Sequence, residues 1–252
     1  MSDDLREFLA RARGSAQTAK VIRLDDLARD ERDDQPWGLS ALRGRLVEVS
    51  ARGAAGTLTT AASLVLDAQT EGEPVAWIVP IDGAAPGTFY PPDAADSGID
   101  LSALVVVRAP SVIAAGRAAE RLLRSGAFGL VVIDFGSANL EASSSRISDS
   151  MLGRLVSLAQ ANDAAIVCLT EKTQDSTSLG SLVSLRAEAI RARAHPKGTG
   201  SPDSSLAHPK GTGSPDSSLA GNGFEVTVRA LKDKRRGPGW SRAIKARGPS
   251  GL

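Results

Sequence analysis

Five short apolar runs, rich in valine and isoleucine, constrain this chain more than any other feature. They lie at 45–50, 75–79, 104–108, 130–135 and 164–169, and helix-period patterns around 58–70, 113–125 and 148–161 separate several of them. A strand that is apolar on both faces has to be covered on both faces. Strands separated by helices return in parallel through right-handed crossovers. The expectation is an α/β fold built on a mostly parallel sheet with helices on both faces. Two later segments, 182–189 ("LVSLRAEA") and 224–231 ("FEVTVRAL"), alternate polar and apolar residues. That period marks strands with one more exposed face, expected to extend the sheet in antiparallel fashion.

The 252 residues, 42% of them hydrophobic, suffice for one large core with appendages. Net charge is +1, so bulk charge selects neither a nucleic-acid nor a membrane partner, but its distribution is uneven. From Met1 to Asp34 there are nine acidic and seven basic residues, whereas from Arg229 to Leu252 there are eight basic and one acidic. No apolar stretch has the length of a membrane span, and "MSDDLREFLARARG" is too charged for a signal peptide. The single cysteine, Cys168, lies in an apolar run, which fits core packing in a reducing compartment. The expected setting is the cytoplasm, with no membrane partner.

Three regions follow. Residues 1–37 form an N-terminal helical arm and linker: Leu5, Phe8, Leu9 and Ala12 share one helix face. That face either docks on its own domain or serves as a partner-binding surface, with Leu5, Phe8 and Leu9 as its contact. Residues 38–231 form the core, and 232–252 a basic tail. Within the core, "HPKGTGSPDSSLA" occurs at 195–207 and again, unchanged, at 208–220. This Pro-, Gly- and Ser-rich stretch buries too little apolar surface to offset its ordering entropy, so 194–222 is expected to be a disordered insert. His195 and His208, the only histidines, both fall there and are too few for a metal site.

The most suggestive local pattern is "EVSARGAAGTLTT" from Glu48: an apolar strand, a Gly/Ala-rich turn, then a helix. A phosphate loop has this arrangement because backbone N–H groups at a helix N-terminus cradle phosphates, a lysine reaches the outer ones and a hydroxyl holds magnesium. Gly53 and Gly56 could form the turn, and Thr59 and Thr60 open the helix. Thr57 and Leu58, however, occupy the places of the lysine and the hydroxyl. A charge-assisted hydrogen bond contributes about 1.5–3 kcal/mol, so the missing lysine alone should weaken phosphate binding roughly ten- to a hundredfold. A second element, "GAFGLVVIDFG", is a buried strand ending in Asp134, where magnesium-binding strands carry an aspartate.

Taken together, "GLSALRGRLVEVSARGAAGTLTT", "GEPVAWI", "DSGIDLSALVVVR" and "LLRSGAFGLVVIDF" resemble successive core elements of the RecA superfamily, over roughly residues 38 to 190. The resemblance implies an ATP-binding core that contacts DNA through loops and polymerises through an N-terminal arm. The chain departs from that pattern at Thr57 and Leu58, and "IVPIDGAAPGTFYPP" after Trp77 holds no glutamate where the family keeps its catalytic one. It also stops short of RecA's C-terminal domain. The shortened RecA-like proteins of bacterial mutagenesis cassettes, the ImuA type, are more similar, and their C-terminal region resembles "LKDKRRGPGW" at 231–240. That likeness implies a non-catalytic role in SOS-induced translesion synthesis, without a cofactor, beside an ImuB-like protein, RecA and an error-prone DNA polymerase. Two alternatives stay open: a SulA-like cell-division inhibitor, and a nucleotide-binding regulatory ATPase.

Single-stranded DNA is a further expected partner, through Lys232, Lys234, Arg235, Arg236, Arg242 and Lys245. Trp240 either stacks on an unpaired base or packs back onto the sheet. Deleting 195–220 should leave the melting temperature within a few degrees, as a thermal scan would show; a large fall would mean that the repeat packs on the domain.

Overall fold

The computed structural model describes residues 35–51, 56–81, 89–136, 140, 147–191 and 223–247. Leu5, Phe8, Leu9, Gly53 and the insert 194–222 lie outside them. The first helix, α1 (Leu39–Leu42), is one turn long and buries Leu39 and Leu42. Gly44, at φ 67° and with its N–H on Ala164 O at 2.9 Å, turns the chain into β1 (Leu46–Ser50). Then follow α2 (Thr57–Thr70), β2 (Val75–Pro80), α3 (Pro91–Asp96) and β3 (Leu104–Ala109). The second half runs α4 (Val112–Arg124), β4 (Leu130–Asp134), α5 (Asp149–Ala161), β5 (Ala165–Thr170), β6 (Leu185–Arg191), β7 (Gly223–Asp233) and β8 (Ser241–Arg247).

All eight strands form one sheet, ordered β3-β2-β4-β5-β1-β6-β7-β8. Every residue of β1, β2, β4 and β5 is buried, which explains their mainly apolar character. Alternate residues feed two cores. Val47, Val49, Val132 and Val167 pack beneath α2, while Ile78, Ile133, Ile166 and Cys168 pack beneath α4 and α5. Ser111 and Ser148 start those last two helices by accepting hydrogen bonds from the backbone of Ala114 and Met151, which satisfies donors that a helix N-terminus leaves open.

The sheet's two ends differ from its middle. At one edge, β3 exposes Val105 and Val106. At the other, β6 runs parallel to β1 and antiparallel to β7, and β7 pairs antiparallel with β8. The basic segment after residue 231 thus enters the sheet: β7 continues to Asp233, and residues 241–247 form the outer strand.

One buried ion pair fixes that end. Arg45, just before β1, places Nη2 2.6 Å from Asp233 Oδ1 at the end of β7; their side chains are 2% and 0% exposed. Arg45 also donates to Ser184 Oγ and to the carbonyls of Ser184 and Ala41. Asp233 Oδ1 accepts from the N–H groups of Arg235 at 2.8 Å and Arg236 at 3.3 Å, and Oδ2 from the Trp240 indole at 3.0 Å. Burial alone would raise this carboxyl; the Arg235 N–H, the indole and Arg45 outweigh it and hold the group below its ordinary value.

Asp233→Ala would leave Arg45 buried without its partner, a change that typically costs about 3–5 kcal/mol. Chemical denaturation should show that loss, and a smaller one for Arg45→Met combined with Asp233→Leu. Because the folded carboxyl titrates below the unfolded value of 3.8, its contribution is complete above that pH and fades as pH falls through the folded value.

Candidate functional site

The strand–turn–helix pattern from Glu48 folds as β1 into α2, with Gly56 the first described residue after the turn. Gly56 is there for close packing. A Cβ would lie 2.8 Å from Ala189 O, so only glycine lets α2 approach β6 this closely. Thr57 is 7% exposed, and Leu58 packs against the core beneath α2. Thr59 is half-buried, and Thr60 Oγ1 donates to Gly56 O at 2.7 Å. The two positions that a phosphate loop gives to lysine and a magnesium-holding hydroxyl are therefore used for packing.

Asp134 ends β4 on the face that α2 covers. It stands level with Leu169, and Leu169 level with Val49. Two strand spacings, about 10 Å, thus separate it from β1. It is 2% exposed, and Oδ2 has no hydrogen-bond partner among the described residues. Burial pushes its pKa up to about 6, against the Gly136 N–H and the Trp77 indole, which favour the charged form, while Glu171 adds to the rise. The Trp77 N–H lies near this carboxylate without closing a hydrogen bond, and its ring packs on Phe89 at 5.1 Å between centroids. The structure thus brings Gly56, Thr57, Thr59 and Asp134 to one face of the sheet. These residues combine a buried acid and a helix start; Arg52, within the turn, lies outside the described residues.

The basic residues do not form one cluster. Lys232 stands opposite Arg186, and Lys245 opposite Glu225, on the face away from α2. Lys234 Nζ donates to Ser181 O at 2.7 Å, and Arg235 Nη2 to Arg43 O at 3.2 Å. Arg236 lies in the turn through its N–H to Asp233, and Arg242 stands opposite Val228 on α2's side. Trp240 packs against the core with its indole N–H on Asp233.

Sequence reasoning missed a second buried polar group. Glu48 Oε1 lies 3.3 Å from Lys172 Nζ and accepts from Thr170 Oγ1, while Oε2 accepts from Leu179 N at 2.9 Å. Arg186, opposite Glu48 in the register, donates to Thr173 O at 2.7 Å and to Ser176 O. Together they hold the segment between β5 and β6. The available signal was one acid inside "LVEVS" and one arginine inside "LRAEA". No protein-family model matches the chain, and no curated protein matches it with significance.

Asp134 gives a sign-definite prediction. Its folded form binds a proton more tightly than the unfolded chain, so stability falls as pH rises from 3.8 through about 6. Asp134→Asn should flatten that stretch of the melting-temperature profile and stabilise the protein at pH 7, by at most about 3 kcal/mol. A destabilised variant at pH 7 would show that the ionised carboxylate has a compensating partner.

Proposed function

We propose that this chain is a non-catalytic RecA-like accessory protein of SOS-induced translesion DNA synthesis, acting through an ImuB-like protein, RecA or an error-prone polymerase, with DNA as a further contact. The reading rests on the resemblance of its core phrases. The observation that carries its non-catalytic half is the inward packing of Thr57 and Leu58 at the start of α2. A helix N-terminus whose phosphate-loop lysine is replaced by Thr57 loses that charge-assisted contact and keeps its backbone and dipole attraction for phosphate.

A regulatory ATPase is the second reading, favoured by Asp134. A buried carboxylate with one oxygen unpaired among the described residues, on the face of α2, is a group that a nucleotide-bound cation could use. Calorimetry with magnesium and ATP separates the two: the accessory reading expects no binding at micromolar concentration and no hydrolysis. Capture of partners from DNA-damaged cells with the full chain as bait tests the first directly. Recovery of the division GTPase without polymerase components would favour a SulA-like inhibitor.

A further inference from the structure

Among the described residues, one face of the sheet carries no helix at one end. The α2 helix packs on one side of β6, β7 and β8, whereas α4 and α5 pack over β1 to β5. The side of β6–β8 opposite α2 is open: Ile190, Ser241, Ala243 and Lys245 are exposed there. The register lays out this face in rows. Arg186 stands beside Lys232; Glu188 beside Arg229, itself beside Ser241; Ile190 beside Thr227 and Ala243; and Glu225 beside Lys245.

The charge on this face does not balance. Glu188 is spent on Arg229 at 2.7 Å, the buried Glu48, next across the sheet from Arg186, is spent on Lys172, and Glu225 stands opposite Lys245, which among the described residues leaves Lys232 and Arg186 without an acid of their own. Lys232 has no ion-pair partner among the described residues. Burial, and the neighbouring charges of Lys234 and Arg186, lower its pKa against the pull of Glu48. Arg186 keeps Nε without an acceptor even though its other nitrogens reach backbone carbonyls. Guarding of an open edge accounts for cations on the outer strand β8. Lys232 stands beyond the last β7–β8 pair, that of Arg229 with Ser241, and has two further cations, Lys234 and Arg186, beside it.

From the row of Lys232 to that of Lys245 is about 20 Å along β7, the rise of roughly six phosphates of one duplex strand. The aromatic rings of this end are elsewhere: Phe224 lies under Arg191 and Trp240 on Asp233, both against the core beneath α2. We propose that the helix-free face of β6–β8 binds the phosphate backbone of nucleic acid through Lys232, Lys234 and Lys245, without base stacking and hence without preference for single strands. The proposal rests on the DNA-contact part of the function proposed above, and it moves that contact from a tail to a sheet face.

Anisotropy of a labelled 30-nucleotide strand of mixed sequence, and of the same sequence as a duplex, tests it with the full chain at roughly 50–200 mM salt. The protein should bind both forms. Lys232→Ala, Lys234→Ala and Lys245→Ala together should weaken binding at least tenfold at the low-salt end and lower the log–log salt slope by about two on the single strand and nearly three on the duplex, near 0.7 and 0.9 for each phosphate no longer neutralised. The triple Lys→Arg variant should retain the slope, which separates charge from any loss of fold. No binding by the parent at 50 mM salt, an unchanged slope in the alanine variant, or a strong single-strand preference would overturn the proposal. So would displacement of DNA by a glutamate-rich peptide as effectively as by unlabelled DNA, which would point to an acidic protein partner. If partner capture survives in a chain that fails to bind DNA, only this inference falls.

Discussion

The pair between Arg45 and Asp233 organises more of this molecule than any other interaction. It joins the approach to the central strand to the end of β7, across 188 residues of sequence. Buried ion pairs are weak evidence for net stability, since desolvating two charges can cost as much as their attraction returns. Their effect lies in specificity, because a carboxylate placed elsewhere would strand Arg45 in the interior. Here the same carboxylate also caps the turn after β7 and holds the Trp240 indole. One residue thereby sets where β7 stops, how the chain reverses and how β8 approaches.

That arrangement changes the meaning of "LKDKRRGPGW". Read as a string, it is a run of cations with a tryptophan. In the fold, its aspartate and tryptophan are structural partners, and its cations are divided among a sheet face, a turn and a backbone carbonyl. The start of α2 shows the same economy. Gly56 looks like a phosphate-loop glycine, yet its lack of a side chain answers to the carbonyl of Ala189. Neither segment loses its chemistry by being structural, but neither is free to move toward a ligand without disturbing the sheet.

The middle of the fold was legible because β1, β2, β4 and β5 are buried on both faces, which forces a mainly apolar run that no loop imitates. The ends were less so. At 182–189 the alternation was visible, but not that β6 would run parallel to β1, because pairing direction depends on the connection rather than on the residues of the strand. β8 was read as part of a tail since Arg242 and Lys245 dominate its composition; its signal was the "GPG" turn followed by alternation through Ala243 and Ile244. At the candidate site, Asp134 was found from its place at a strand end. Glu48 was passed over because a buried acid in a strand centre declares itself only through partners as remote as Lys172 and Leu179.

The strand order also has a consequence in time. β1 is completed early in synthesis, yet both of its neighbours come late: Leu46 pairs with Ile166, and Val47 with Leu185. Until residues near 170 have left the ribosome β1 has no partner on either side, and until residues near 190 it still lacks one of the two. Pairings this distant in sequence make folding slow and leave such a strand open to wrong neighbours meanwhile. The closing ion pair needs residue 233, so the growing chain cannot lock β1 in place until 188 further residues have followed Arg45.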